Sequence, residues 1–369
     1  MCDLQNYYND KTKTLQIPCY FNGSLRDLPN IIETIIFDED IEDKEPFTSA
    51  FNQSVNKLPK KLTYLYFGYS FNQKVNKLPK KLTYLCFGYT FNQKVNKLPK
   101  NLSHLEFGYC FNQSVDNLPE NLTHLTFYCY FNQKVDNLPK TLTHLTFNYF
   151  SHFNQPVDNL PLSLTYLTFG YHFNQPIDNL PLSLTHLTLD GIFNQKVDNL
   201  PKNLTHLTFG YSFNQSVDKL PKTLTHLTFS LEFNQPVDNL PQNLTHLNFN
   251  YRSCFNQPVD NLPEKLTHLI LNKNFNQSLD KIPKNLLFLE ILNDKNIIPK
   301  HIKQICLDSS NSLIHNLPYN IEKLYITFNY STKKINNLPF SIKEICIRSE
   351  YYKKYISIPF GTVITIADF

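Results

Sequence analysis

The triplet Phe-Asn-Gln recurs along most of the chain, beginning at Phe51, Phe71, Phe91, Phe111, Phe131, Phe153, Phe173, Phe193, Phe213, Phe233, Phe255 and Phe275. Successive copies are 20 residues apart, with two steps of 22. A unit this short cannot bury its apolar residues against itself, so each unit must lay its apolar stripe on its neighbours. The unit reads approximately F-N-Q-x-V-D-N-L-P-x-x-L-T-H-L-T-F-G-Y-x. In the two longer units the extra residues fall within 148–152 and 250–254, each time just before the Phe, which marks that point as a tolerant loop.

Weaker copies flank the regular ones. Phe21-Asn22 leads to Leu28-Pro29 and then to Ile32, Ile35 and Phe37, and the same spacing returns at Ile302, Ile305, Leu307, at Ile321, Leu324, Ile326 and at Ile342, Ile345, Ile347. The expected organisation is one solenoid domain of about sixteen units. Residues 1–20 form an N-terminal cap, 21–50 a degenerate first repeat with an acidic loop, 51–292 the twelve regular repeats, 293–347 degenerate repeats, and 348–369 a C-terminal cap.

The spacing L-x-x-L-x-F predicts one short strand per unit. Residues two apart on a strand share a face, so Leu65 and Phe67 point inward together, and Leu62 enters just before them. Asp-Asn-Leu-Pro, for example Asp136 to Pro139, is a turn signal. Twenty residues leave no room for a strand, a full helix and two loops. The expected fold is therefore mainly β: a solenoid of 20–22-residue units with one parallel sheet and irregular return limbs. Stacking turns each repeated residue into a column, so Phe51 to Phe275 and Phe67 to Phe249 become an aromatic spine, each buried Phe contributing roughly 1.5–3 kcal/mol before entropy. The Asn after each Phe, such as Asn72 and Asn92, is expected to satisfy backbone groups in the turn.

Composition narrows the function. Hydrophobic residues make up 41% of the chain, enough for a core, and the net charge is only +4. No apolar run is long enough for a membrane helix, and Met1-Cys2-Asp3-Leu4-Gln5-Asn6 is not the start of a secretory signal. The eight cysteines form no C-x-x-C pair, which points to reduced thiols in a cytoplasmic setting. There is no phosphate-binding Gly-rich loop, no G-x-S-x-G and no H-E-x-x-H. A perfect repeat supplies parallel identical groups rather than the differing, converging ones a catalytic site needs, so neither an enzyme nor a cofactor is expected.

The L-x-x-L-x-[FLI] pattern is similar to a leucine-rich repeat, but the Asn falls five positions after the last core apolar residue rather than three. The whole unit FNQxVDNLPxxLTHLTF resembles the FNIP-repeat family more closely, strongly over residues 51–292 and weakly over 21–37 and 293–347. The resemblance implies a leucine-rich-repeat-like fold, a non-enzymatic role in protein interaction, and a setting among social amoebae or giant DNA viruses, where the compartment would be the host cytoplasm. Some members of that family carry an N-terminal F-box; residues 1–20 are too short for one.

Three groups of residues stand out as candidates. The first is the column at the first strand position, which reads Tyr64, Tyr84, His104, His124, His144, Tyr166, His186, His206, His226, His246 and His268. Beside it run Tyr66, Cys86 and Glu106, then Thr126, Thr146, Thr168, Thr188, Thr208 and Thr228. A face of this kind could receive an extended partner, or the residues could simply suit a sheet surface. A ladder of identical residues lacks tetrahedral convergence, so no metal is expected. Stacked imidazoles repel one another when charged, which should lower their pKa values. The second group is a basic edge formed by Lys57, Lys60, Lys61, Lys77, Lys80, Lys81, Lys97 and Lys100; residues 51–100 hold ten Lys and no acidic residue. The third is the acidic stretch Asp38, Glu39, Asp40, Glu42, Asp43 and Glu45. The basic edge could meet an anionic partner, be masked by the acidic stretch, or be a solvated edge. No RNA-reading motif and no Arg-rich stretch supports nucleic acid. The expected function is a scaffold for a protein partner along the sheet face or edge. Substrate recognition for ubiquitin ligation without an F-box, and a self-assembling rod, are the alternatives, and the oligomeric state stays open.

Overall fold

The computed structural model describes residues 4–37, 49–328 and 334–367. The chain divides into two compact units, Met1–Phe193 and Asn194–Phe369. Among the described residues there is no α-helix; the only helical turns are 3₁₀ segments at Leu4–Tyr7, Ser312–His315 and Glu350–Tyr355.

In the first unit a short strand β1 (Tyr8–Asn9) pairs antiparallel with β2 (Thr14–Ile17). From β2 onward every pairing is parallel and runs in chain order through β3 (Thr34–Phe37), β4 (Tyr64–Tyr66), β5 (Tyr84–Cys86), β6 (His104–Phe107), β7 (His124–Phe127), β8 (His144–Phe147), β9 (Tyr166–Phe169) and β10 (His186–Leu189). The register places like on like: Leu65 pairs with Leu85, Leu85 with Leu105, and Leu105 with Leu125.

The second unit follows the same rule through β11 (His206–Phe209), β12 (His226–Phe229), β13 (His246–Phe249), β14 (His268–Leu271), β15 (Phe288–Ile291), β16 (Gln304–Asp308), β17 (Lys323–Thr327), β18 (Glu344–Ile347) and β19 (Val363–Ile366). Each unit is thus a mainly β, parallel-sheet solenoid, as the repeat spacing predicts. The parallel stack also extends into both terminal segments, through β2 and β19.

The apolar spacing becomes the core as expected. Leu62, Leu65 and Phe67 are fully buried, and so are their equivalents in later coils. The Leu-Pro turn is closed by a Leu62 N–H that donates to the Pro59 carbonyl at 3.1 Å, with the same bond at Leu82, Leu102 and Leu122. Pro suits that site because only its carbonyl is used. The two Phe columns interleave: Phe67 lies 3.7 Å from Phe71 between ring centroids, and Phe71 lies 6.0 Å from Phe91. In the second unit Phe229 stacks on Phe233 at 3.7 Å. Each 22-residue step adds a buried serine, Ser151 or Ser253, whose Oγ accepts the N–H of the following Phe at 3.2 and 3.1 Å. The insertion therefore brings its own hydrogen-bond partner into the interior.

The Asn after each Phe reaches across coils rather than into its own turn. Asn52 Oδ1 accepts the backbone N–H of Asn72 at 2.9 Å and the side-chain amide of Gln73 at 3.1 Å, and Asn72 repeats this toward Asn92 and Gln93. A second ladder runs beside the strands, where the Thr83 hydroxyl donates to the Thr63 carbonyl at 3.1 Å. The Asn ladder satisfies backbone N–H groups outside the strands, whereas the Thr63 carbonyl also accepts the Thr83 and Tyr84 N–H groups, so there the hydroxyl adds to an existing backbone bond.

Candidate functional site

Parallel register and period-2 alternation leave the first and third strand positions on the outward sheet face. In the first unit the first-position column is a continuous stack. His104 lies 4.2 Å from His124 and His124 4.2 Å from His144, while Tyr166 sits between His144 and His186 at 4.4 and 4.1 Å. In the second unit His206, His226, His246 and His268 stack at 4.2 Å per step with rings within 12° of parallel. All these imidazoles are half-buried, and Tyr166 is exposed. The sequence-predicted column is therefore brought together within each unit.

The hydrogen bonds couple the ring tautomer to the hydroxyl that precedes each histidine. The Thr225 hydroxyl has one hydrogen, and its oxygen lies 3.1 Å from the Thr205 carbonyl. Thr225 Oγ1 also lies 2.9 Å from His226 Nδ1. The Thr205 carbonyl also accepts the Thr225 and His226 N–H groups at 2.9 and 3.0 Å, so the hydroxyl proton serves either the carbonyl, with Nδ1 carrying the ring proton and Nε2 a lone pair, or Nδ1, with the ring proton on Nε2. The same pair of bonds recurs at Thr123 with His124, at Thr143 with His144, at Thr245 with His246 and at Thr267 with His268. At His124, His144, His226, His246 and His268 the rings are thus held alike, each through Nδ1.

Partial burial holds His124, His144, His206, His226 and His268 below the ordinary histidine pKa, and His246 is pushed down to about 4. The sequence predicts repulsion between neighbouring rings as the cause. Repulsion from other rings of the column acts on His124, His144, His226 and His246, but loss of solvent is the larger cause in each.

The basic edge is exposed throughout: Lys57, Lys60, Lys61, Lys77, Lys80, Lys81, Lys97 and Lys100 all face solvent, and among the described residues none of them forms an ion pair. The acidic stretch Asp38, Glu39, Asp40, Glu42, Asp43 and Glu45 lies outside the described residues. Among the described residues, no three His, Cys, Asp or Glu side chains form a group that could hold a metal ion. No helix among them is long and apolar enough to cross a membrane.

Two surface features escaped the sequence reading. The residue after the turn Pro is Lys in the basic edge but aromatic in the last coils, so Tyr319, Phe340 and Phe360 stand 84%, 82% and 98% exposed. The signal was present as an apolar residue after Pro where the repeat has Lys. In the first unit, Tyr69, Tyr89 and Tyr109 stack at 4.6 and 4.7 Å beside the outward face. These tyrosines belong to the consensus G-Y of the repeat.

The FNIP Repeat family matches residues 51–90, 74–110, 111–150, 153–191 and 193–232. Among solved structures, CroV588, described as a circular leucine-rich-repeat protein of the giant virus CroV, is 36% identical over 98% of this chain with a TM-score of 0.78. This chain spans 57% of that protein's length. YopM from Yersinia enterocolitica is 16% identical, with 99% of this chain and 93% of that one covered and a TM-score of 0.44. An internalin from Listeria monocytogenes is 19% identical, with 73% and 76% covered and a TM-score of 0.42. No curated protein sequence matches the chain significantly.

Proposed function

Because this chain is an FNIP-repeat protein with a leucine-rich-repeat-like fold, we propose that it is a non-catalytic scaffold that binds a protein partner along the outward sheet face. Repeat scaffolds of this kind present an extended surface of like residues, typical of protein-interaction domains. The observation that carries the reading is the stacked histidine column with each Nδ1 engaged by the preceding hydroxyl, and we infer the tautomer that leaves Nε2 as the acceptor. A row of Nε2 lone pairs at strand spacing offers identical acceptors to the N–H and O–H donors of an extended partner. The Thr column beside it adds small polar groups that do not obstruct approach. The setting proposed is a host cytoplasm, in line with the viral relative.

The test is capture of partners by the full chain, compared with a variant carrying His206→Phe, His226→Phe and His246→Phe. Phe keeps the ring and removes the acceptor. The column already tolerates it, since Phe288 stacks on His268 at 5.8 Å. A partner retained by the native chain should be lost from the variant. Equal retention by a folded variant would remove the sheet face as the binding surface.

A further inference from the structure

The first regular coils depart from the repeat on the outward face, and their departures converge. Where later coils carry Thr, β4, β5 and β6 carry Tyr66, Cys86 and Glu106. These residues form one side of a cleft of about 400 Å³, whose other side is the stacked row Tyr69, Tyr89 and Tyr109 and whose end is Tyr128. The five tyrosines and Glu106 are half-buried, so the cleft is reached from the surface.

The floor explains why a cleft exists here. Gly88 and Gly108 lie between the two sides, and a Cβ at either would meet the carbonyl oxygen of the preceding coil at 2.1 and 2.0 Å. Only glycine allows this backbone approach, and the missing side chains leave a trough between the rows. In the next coil the same position is Tyr128, which closes the trough.

Among the described residues, Glu106 is the only charged one lining it. Its Oε1 accepts the Tyr84 hydroxyl at 2.5 Å, and Tyr84 is held in turn by stacking on Tyr64 at 4.2 Å. The Tyr84 phenol is raised well above its ordinary pKa, first by burial and then by Glu106, so it stays a donor and keeps the carboxylate in place. An anion would be repelled by the carboxylate and by the negative faces of the rings. A neutral apolar group would pack on the tyrosines but strip water from Glu106 without replacing it. A cation satisfies both, and a planar one fits best: guanidinium stacks on aromatic faces and bonds a carboxylate through two N–H groups, which an ammonium cannot do.

We propose that this cleft receives the arginine side chain of a partner protein, stacked along Tyr69, Tyr89 and Tyr109 and paired with Glu106. The inference rests on the interaction reading for the carrier of the arginine, and it deepens that reading by naming a contact chemistry distinct from the histidine column.

The experiment titrates the full chain, tyrosine-labelled for NMR, with N-acetyl-arginine-methylamide and with the citrulline equivalent, which has the same shape and no charge. Saturable shifts of Tyr89 and Tyr109 are expected with the arginine probe. Affinity should fall by about tenfold or more for the citrulline probe, the scale of losing one charge-assisted contact. Glu106→Gln should weaken the arginine probe similarly. So should Glu106→Thr, which installs the residue of the later coils and therefore suits the fold. No saturation, equal affinity for the citrulline probe, or unchanged binding in both Glu106 variants would overturn the proposal. Agmatine binding about tenfold tighter than the peptide-like probe would overturn a partner's arginine as the occupant. Probe binding is read without any partner, so its failure is distinct from failure of partner capture on the histidine face.

Discussion

Within the second unit, coils 206–268 and coils 304–347 share a backbone and a buried interior but hold their faces together in opposite ways. In the first set the column is His on His on His, neutral and stacked at 4.2 Å. In the second set the faces alternate in sign. Glu322 bridges Lys303 at 2.9 Å and Lys343 at 2.7 Å, and Lys323 pairs with Glu344 at 2.9 Å. An in-register parallel stack sets each position against its own equivalent. A column that repeats one residue must therefore stay neutral or stand in open solvent, whereas a charged column on the sheet face is stable only if the sign alternates. The basic edge of the first unit is the solvent case: its lysines repeat, and all are exposed.

The shared interior should give the largest effects, and nearly equal ones. Phe229→Ala in the histidine coils should cost about 3–5 kcal/mol and Ile326→Ala in the ion-paired coils about 2–5 kcal/mol, measured by urea unfolding, because both side chains are fully buried. A cost below about 1 kcal/mol at either site would mean that region does not share the core.

Acid should separate the two regions. The histidines of coils 206–268 are depressed in the folded state, so the unfolded chain binds more protons once the pH falls below the ordinary histidine value of about 6.5. Stability is thus lost from there down to about 4, the folded value of His246. Glu322, held at about 2 by its hydrogen bonds with Lys343 and Lys303, contributes stability that is intact above the ordinary carboxylate range and lost only on the way down to about 2. Hydrogen exchange at about pH 5 should therefore show coils 206–268 loosened relative to about pH 7.5, with coils 304–347 little changed. Equal loosening in both would erase the distinction.

Smaller effects sharpen it. Thr245→Val removes the hydroxyl that is hydrogen-bonded to His246 Nδ1 at 2.9 Å and should cost about 1 kcal/mol in thermal unfolding. Glu322→Gln breaks two exposed ion pairs. It should lower the melting temperature slightly in low salt and not at all in high salt, whereas Thr245→Val should be indifferent to salt.

Much of this was legible in the sequence because the repeat reports its own geometry. Leu65 and Phe67 share a face whatever the tertiary detail, and a period of 20 leaves space for one strand, so fold class, core and the histidine column followed directly. What could not be read depended on contacts between positions that are not equivalent. Asn52 serves the next coil rather than its own turn because stacking brings the Asn72 N–H to it. Burial outranks repulsion at His246 because its exposure depends on the rows flanking the column. The Tyr–Glu106 cleft joins the strand column to the residues that follow the strand, across a glycine floor visible only once the coils are stacked. The aromatic side chains at Tyr319, Phe340 and Phe360 could have been found by aligning the weak repeats with the strong ones at the residue after Pro.

The most direct test of the neutral stacked column is an NMR titration of the His246 imidazole in the folded full chain. The predicted midpoint is near 4, with Nδ1 carrying the proton in the neutral form. A midpoint at the ordinary histidine value of about 6.5, or a neutral form protonated on Nε2, would contradict it.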